Sequence, residues 1–173
     1  MKIFLTVVFT IIGLIVIALA FVYLGFYNVA AINPPGKIES WFFSTVTDNS
    51  VLHHSADIKA PALEAAATAD SGFQQFSKMC VGCHGAPGVK DEGMSKALNP
   101  SPPNLADAVG DESDAAIFWI VKNGIKMTGM PAFSAFKSDN EIWQIVAFVR
   151  LLPKMTPEQY QAYKNRLGQS GAE

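Results

Sequence analysis

The sequence predicts an all-α protein, a small helical domain preceded by one long apolar helix and a connecting segment. Three observations carry that expectation. From Ile3 to Tyr27 there is no charged residue at all. Further along, apolar residues recur three and four apart between capping and stop signals, and no alternating strand pattern competes. Finally, both cysteines and one of the three histidines stand together in "KMCVGCHGAPG", residues 78–88, at a spacing that suits one turn of helix.

The apolar run comes first in the chain. As a helix rising about 1.5 Å per residue it covers a bilayer core of about 30 Å. Lys2 followed by Ala18-Leu19-Ala20 also fits a signal peptide with a small-x-small cleavage site. The run continues through Phe21, Val22, Tyr23 and Leu24, however, where a mature N-terminus would turn polar, so residues 1–28 are expected to be a retained anchor. Lys2 on its short side places the N-terminus in the cytoplasm and everything after residue 28 outside. With 173 residues, half of them hydrophobic, the chain has room for one compact domain and an appendage. A net charge of −2 provides no basic footprint, so no nucleic-acid partner is expected.

Residues 29–69 hold "INPPGK" and "KAPALEAAATAD", which suit a connecting segment better than a core. Within them, Trp41, Phe42 and Phe43 are poor choices for a solvated linker. Packing on the globular part, a place at the membrane interface, or a docking surface for a partner each account for these rings. The adjacent His53 and His54 point in different directions on any regular element and lack further ligands nearby, which argues against a metal role.

Residues 70–156 read as the helical domain. Asp70 or Ser71 caps a helix whose Phe73 and Phe76 share a face. A second helix starts at the caps of "DESD", buries Ile117, Ile120 and Val121, and ends at Gly124 in a left-handed position. The third opens with Ser138 and Glu141 as a capping box, repeats Ile142, Ile145, Val146 and Val149 at helical spacing, and stops at Pro153. The three prolines of "NPSPPNLADAV", residues 99–109, make a stiff extended loop. Helices around such a loop suggest a bound group at the centre. Residues 157–173 are left as a C-terminal tail.

The cysteines name that group. On a helical turn Cys80 and Cys83 face one side with His84 beside them, the arrangement that allows two thioether bonds to one haem while the imidazole binds its iron. A zinc site lacks matched ligands, a thioredoxin-type dithiol lacks a βαβ setting, and a disulfide here would close too small a loop. One covalent haem c, joined through Cys80 and Cys83, is expected. The opposite axial position calls for a methionine, because the other histidines lie in the connecting segment. Met130 is the first choice: it has the span of chain needed to pass the haem edge, glycines for sharp turns, and Pro131 to fix the backbone behind it. Met127 is the alternative.

"GFQQFSKMCVGCH", "PSPPNL", "NGIKMTGMPAF" and "EIWQIVAFVRLLP" resemble the successive signatures of class I monohaem cytochromes c over residues 72–153. The segment before them is similar to the N-terminal region of small membrane-anchored cytochromes c of Gram-negative bacteria. The resemblance implies three to five helices wrapped around the haem, with Gly72 and Phe76 meeting the Trp143–Phe148 region. It further implies that a carbonyl of Pro100, Pro102 or Pro103 supports the imidazole of His84. Haem attachment on the outer face of the bacterial cytoplasmic membrane is implied as well, which agrees with the orientation read from Lys2.

A saturated iron favours electron transfer over catalysis, so neither a catalytic residue nor a small-molecule substrate is expected. The implied partners are redox proteins: a quinol-oxidising complex, a dehydrogenase or a terminal oxidase. The protein is then a tethered periplasmic carrier of the respiratory chain, or alternatively a fixed haem subunit of a dehydrogenase or oxidase complex. Beyond Lys2 the chain holds fewer basic than acidic residues, which suits a weakly basic or apolar docking face on the partner.

Overall fold

The computed structural model describes residues 1–63, 66–90 and 93–167. It divides into two compact units, one ending at Asn33 and the other beginning at Pro34. The first is built on α1 (Lys2–Tyr23), which buries none of its residues. Thr6 and Thr10 turn their hydroxyls back onto the carbonyls of Lys2 and Thr6, so neither polar group needs water. At about 1.5 Å per residue α1 is about 33 Å long. Length and composition allow it to cross a membrane, and a signal sequence passes the same test. Gly25, at φ +72°, ends it.

The second unit is all-helical among the described residues, with a single isolated bridge, Ala86 to Val89, in place of any strand. It comprises α2 (Lys37–Ser55), α3 (Ala66–Met79), α4 (Val81–His84), α5 (Met94–Ala97), α6 (Leu105–Ala108), α7 (Asp114–Asn123), α8 (Asp139–Val149) and α9 (Pro157–Leu167). Its core is the crossing of α3 and α8. Gly72 makes that crossing possible, because a Cβ there would fall onto the backbone oxygen of Gln144 and within 2.9 Å of the Phe148 Cβ. Phe73 and Phe76 meet Phe148 at ring separations of 5.3 and 5.2 Å. Ile142, Ile145, Val146 and Phe148 are fully buried beside them. The crossing expected from Gly72 and Phe76 is therefore present.

Four details differ from the periodicity. The helix of Phe73 and Phe76 starts at Ala66, a turn before Asp70, whose carboxylate is drawn instead into a two-pronged ion pair with Arg166 of α9 at 2.7 and 2.8 Å. In α7 the buried stripe takes in Phe118 rather than Ile120, since Phe118 stacks flat on Trp143 of α8 at 4.0 Å. The helix of Ile142 and Val149, α8, leaves α geometry at Val149, before Pro153, and is followed by a 3-10 turn over Leu152–Lys154. Residues 157–167, expected only as a tail, form α9, which buries Tyr160 against Phe73.

The caps expected for α7 and α8 are in place, whereas Asp70 and Ser71 lie inside α3 and cap nothing. Ser113 accepts from Ala116 N at 3.1 Å. Ser138 and Glu141 make the reciprocal box, with Glu141 accepting from Ser138 N at 2.9 Å. Lys137, then the Ser138 amide and hydroxyl, hold the Glu141 carboxyl down to about 2, well below its ordinary 4.5.

Within residues 29–69, α2 lies against α7. Val51 and Ser55 are buried, and the His54 ring stacks on Trp119 at 5.7 Å with 7° between planes. Trp41, Phe42 and Phe43 stay exposed.

Candidate haem site

Phe76, on the buried face of α3, aims the chain into the site. Its carbonyl accepts from Cys80 N at 2.9 Å, so the backbone reaches the first cysteine without a break. Cys80 then caps the single turn of α4, with His84 N donating to its carbonyl at 2.9 Å and Cys83 N at 3.1 Å. That turn sets both thiols and the imidazole on one short arc. Gly85, at φ +65°, releases the chain directly afterwards. Neither cysteine is in a disulfide. Cys80 is only 8% exposed, and burial, with Cys83 nearby, pushes its thiol up to about 12. Before a thioether forms, this sulfur is a neutral thiol embedded in the core.

The proline loop supplies the support for the imidazole. His84 Nδ1 donates to Pro103 O at 2.8 Å, so the choice among three prolines falls on Pro103. The next residue steadies that acceptor, because Asn104 Oδ1 caps α6 by accepting from Ala106 N at 2.9 Å. With Nδ1 committed, the tautomer is set and Nε2 is left with its lone pair to bind a metal.

Met130 lies in the loop after α7. Gly124, at φ +65°, turns the chain, and a Cβ there would sit 2.7 Å from Met130 O. Ile125 N then donates to that same oxygen at 3.2 Å. Thr128 ties the middle of the loop: its hydroxyl donates to Ile125 O at 2.8 Å and accepts from Met130 N at 3.0 Å. Met130 is partly buried against the cluster that contains Cys80. Met127 has φ +60° and is 85% exposed. A Cβ on Gly129 would meet Leu98 Cδ1 at 2.7 Å, so the methionine loop touches the end of α5, just before the proline loop.

Sequence reasoning missed Thr128, Leu98 and the Phe118–Trp143 stack. A threonine two residues before a loop methionine, flanked by glycine, is the local signal that finds the first. The other two depend on contacts across the fold.

These features define a class of protein. An all-helical domain with two unpaired cysteines and a carbonyl-supported histidine on one turn, bordered by a methionine loop, is a c-type cytochrome domain. Its haem c is joined covalently through Cys80 and Cys83. The comparison with protein families agrees: residues 67–149 match the family described as cytochrome C oxidase, cbb3-type, subunit III. Neither the curated proteins nor the solved structures contain a match. The domain serves haem-based electron transfer.

The donor set fits the group. Two thiols at the required spacing and an imidazole with only Nε2 to give are what one haem c takes from a protein. When bound, the haem supplies a one-electron change of its iron. The chain's own residues would do the rest: Cys80 and Cys83 would fix its position, Pro103 orients His84, and the buried faces of α3 and α8 keep water from the apolar cluster that includes Cys80.

Proposed function

We propose that the protein is a membrane-anchored electron carrier whose haem iron is ligated by His84 and Met130, serving the periplasmic side of a bacterial respiratory chain. The observation that carries this reading is the pairing of two braced loops. Pro103 holds His84 while Thr128 holds the Met130 backbone, and such bracing suits an iron that changes charge without changing ligands. The exposure of Met127 favours Met130 as the sulfur donor. Residues 3–27 are the anchor in this reading, and the partners are a quinol-oxidising complex or dehydrogenase on one side and a terminal oxidase on the other. The oxidase-subunit family matched by residues 67–149 supports the last of these.

A specific observation favours the second reading, a fixed haem subunit of a larger complex. Since α2 is packed on α7, the slack between α1 and the haem domain is residues 24–36 and not the whole of 29–69. A flexible stretch of that length spans about 20 Å, against 30–40 Å for the longer one. A short lead suits a donor and an acceptor that are themselves close to the membrane.

Carbon monoxide added to the reduced protein tests the ligation. The visible spectrum is expected to stay unchanged; a shifted Soret band shows an open or labile iron and overturns the carrier reading. Mass measurement of the protein extracted from membranes tests the anchor, with residues 3–27 expected to be present.

A further inference from the structure

The helix α2 has two opposite faces, and only one of them is used by the domain. Val51 and Ser55 are buried, and His54, on the same side, stacks on Trp119. About half a turn away, at helical spacing, lie Ile38, Trp41, Phe42, Val46 and Leu52, all exposed, with Thr45, Asn49 and His53 completing the stripe. No Asp, Glu, Lys or Arg interrupts it, its one titratable side chain is His53 near the C-terminal end, and its largest rings are at the N-terminal end. The chain that leads there from α1 is uncharged too: between Lys2 and Lys37 there is no Asp, Glu, Lys or Arg. Phe26, Val29 and Ile32 are exposed along the way.

We propose that this stripe of α2 docks on the lipid surface of the bilayer, so that α2 lies in the interface with the haem domain seated on its other side. The occupant follows from continuity and chemistry. An uncharged chain of residues 24–36 leaves the span and delivers its next helix within reach of the headgroups. A tryptophan and a phenylalanine on an uncharged helical face are the side chains that settle where hydrocarbon meets headgroup. A carboxylate at the centre of that face would oppose it; Glu39 and Asp48 flank its two edges, about 20° beyond Val46 and Trp41, where a charge can stay in water beside the headgroups. The inference rests on α1 being retained as an anchor. Its consequence is orientation: a helix gripped on one side by lipid and on the other by α7 holds the haem domain in one attitude to the membrane.

The test uses the full-length haem-loaded protein in phosphatidylcholine–phosphatidylglycerol vesicles, with a nitroxide label on Val46→Cys and, separately, on Asn140→Cys, which is exposed on α8. Cys80 and Cys83 do not compete for the label, since both are thioether-bound. Power saturation with oxygen and with a water-soluble nickel chelate then reports depth. The label at 46 is expected to favour oxygen, reversing the preference at 140. A label at 46 that prefers the nickel chelate, while alkaline carbonate leaves the protein in the vesicles, overturns the docking and spares the anchor. Protection from both reagents overturns it in favour of a protein partner or a second copy. Release of the protein by carbonate overturns the anchor itself, and the docking with it.

Discussion

Replacing Thr128 with valine removes one hydroxyl and leaves the shape of the side chain almost unchanged. In the folded protein that hydroxyl donates to Ile125 O and accepts from Met130 N, both within a partly buried loop. Losing one such bond costs about 0.5–1.5 kcal/mol, and a half-buried Met130 N–H left without its acceptor brings the sum to about 1–2 kcal/mol. The cost falls on the closed loop only, because a loop displaced from the iron leaves the same groups to water. At about 1.4 kcal/mol per tenfold, the fraction with the Met130 sulfur displaced rises about 5- to 30-fold. Imidazole binding to the oxidised protein reads that fraction, since an added ligand must first displace the sulfur. The apparent affinity of Thr128→Val for imidazole is expected to rise by the same factor, and Thr128→Ser, which keeps the hydroxyl, is expected to stay near wild type. Equal affinities in all three proteins refute the reasoning, either because Met130 is not the ligand or because its loop is held by other contacts.

Other expectations come from the core and its caps. Gly72→Ala gains about 1 kcal/mol of helix propensity but drives a methyl onto the Gln144 carbonyl, and backbone cannot swing aside as a side chain does. Overpacking of about 1–3 kcal/mol or more is expected to win, lowering the thermal midpoint by several degrees in a circular dichroism melt; an unchanged or raised midpoint refutes the crossing. For Glu141 the folded carboxyl titrates near 2 instead of 4.5, so its contribution is present above about pH 4.5 and disappears as the pH falls towards 2. Denaturant titrations of wild type and Glu141→Gln are therefore expected to converge across that window, and a gap that is constant from pH 6 to pH 2 contradicts the assignment.

Legibility in this chain tracks the range of the interactions. Ser113 and Ser138 were recognisable as caps because each acts within one turn of its own backbone. Gly124 was recognisable as a helix stop for the same reason, and Cys80, Cys83 and His84 because haem attachment demands a spacing that a few consecutive residues satisfy. The α3–α8 crossing was legible through one special residue, Gly72, whose missing side chain marks a close approach. What was hidden depends on where distant segments meet. Nothing local separates Pro103 from Pro100 or Pro102; the carbonyl that faces His84 is decided by how the loop sits between α5 and α6. Ile120 is as apolar as Phe118, and only Trp143 on a neighbouring helix makes the aromatic the inward one.

By itself the sequence determined a covalent haem on an all-helical domain behind one apolar helix, because spacing, capping and charge are properties of neighbouring residues. Only the tertiary structure decided that α9 closes over Phe73, that α2 is part of the haem unit, and which side of α2 is left for something else. Those outcomes depend on apolar area shared between segments far apart in the chain, and no window of sequence contains both halves of such a contact.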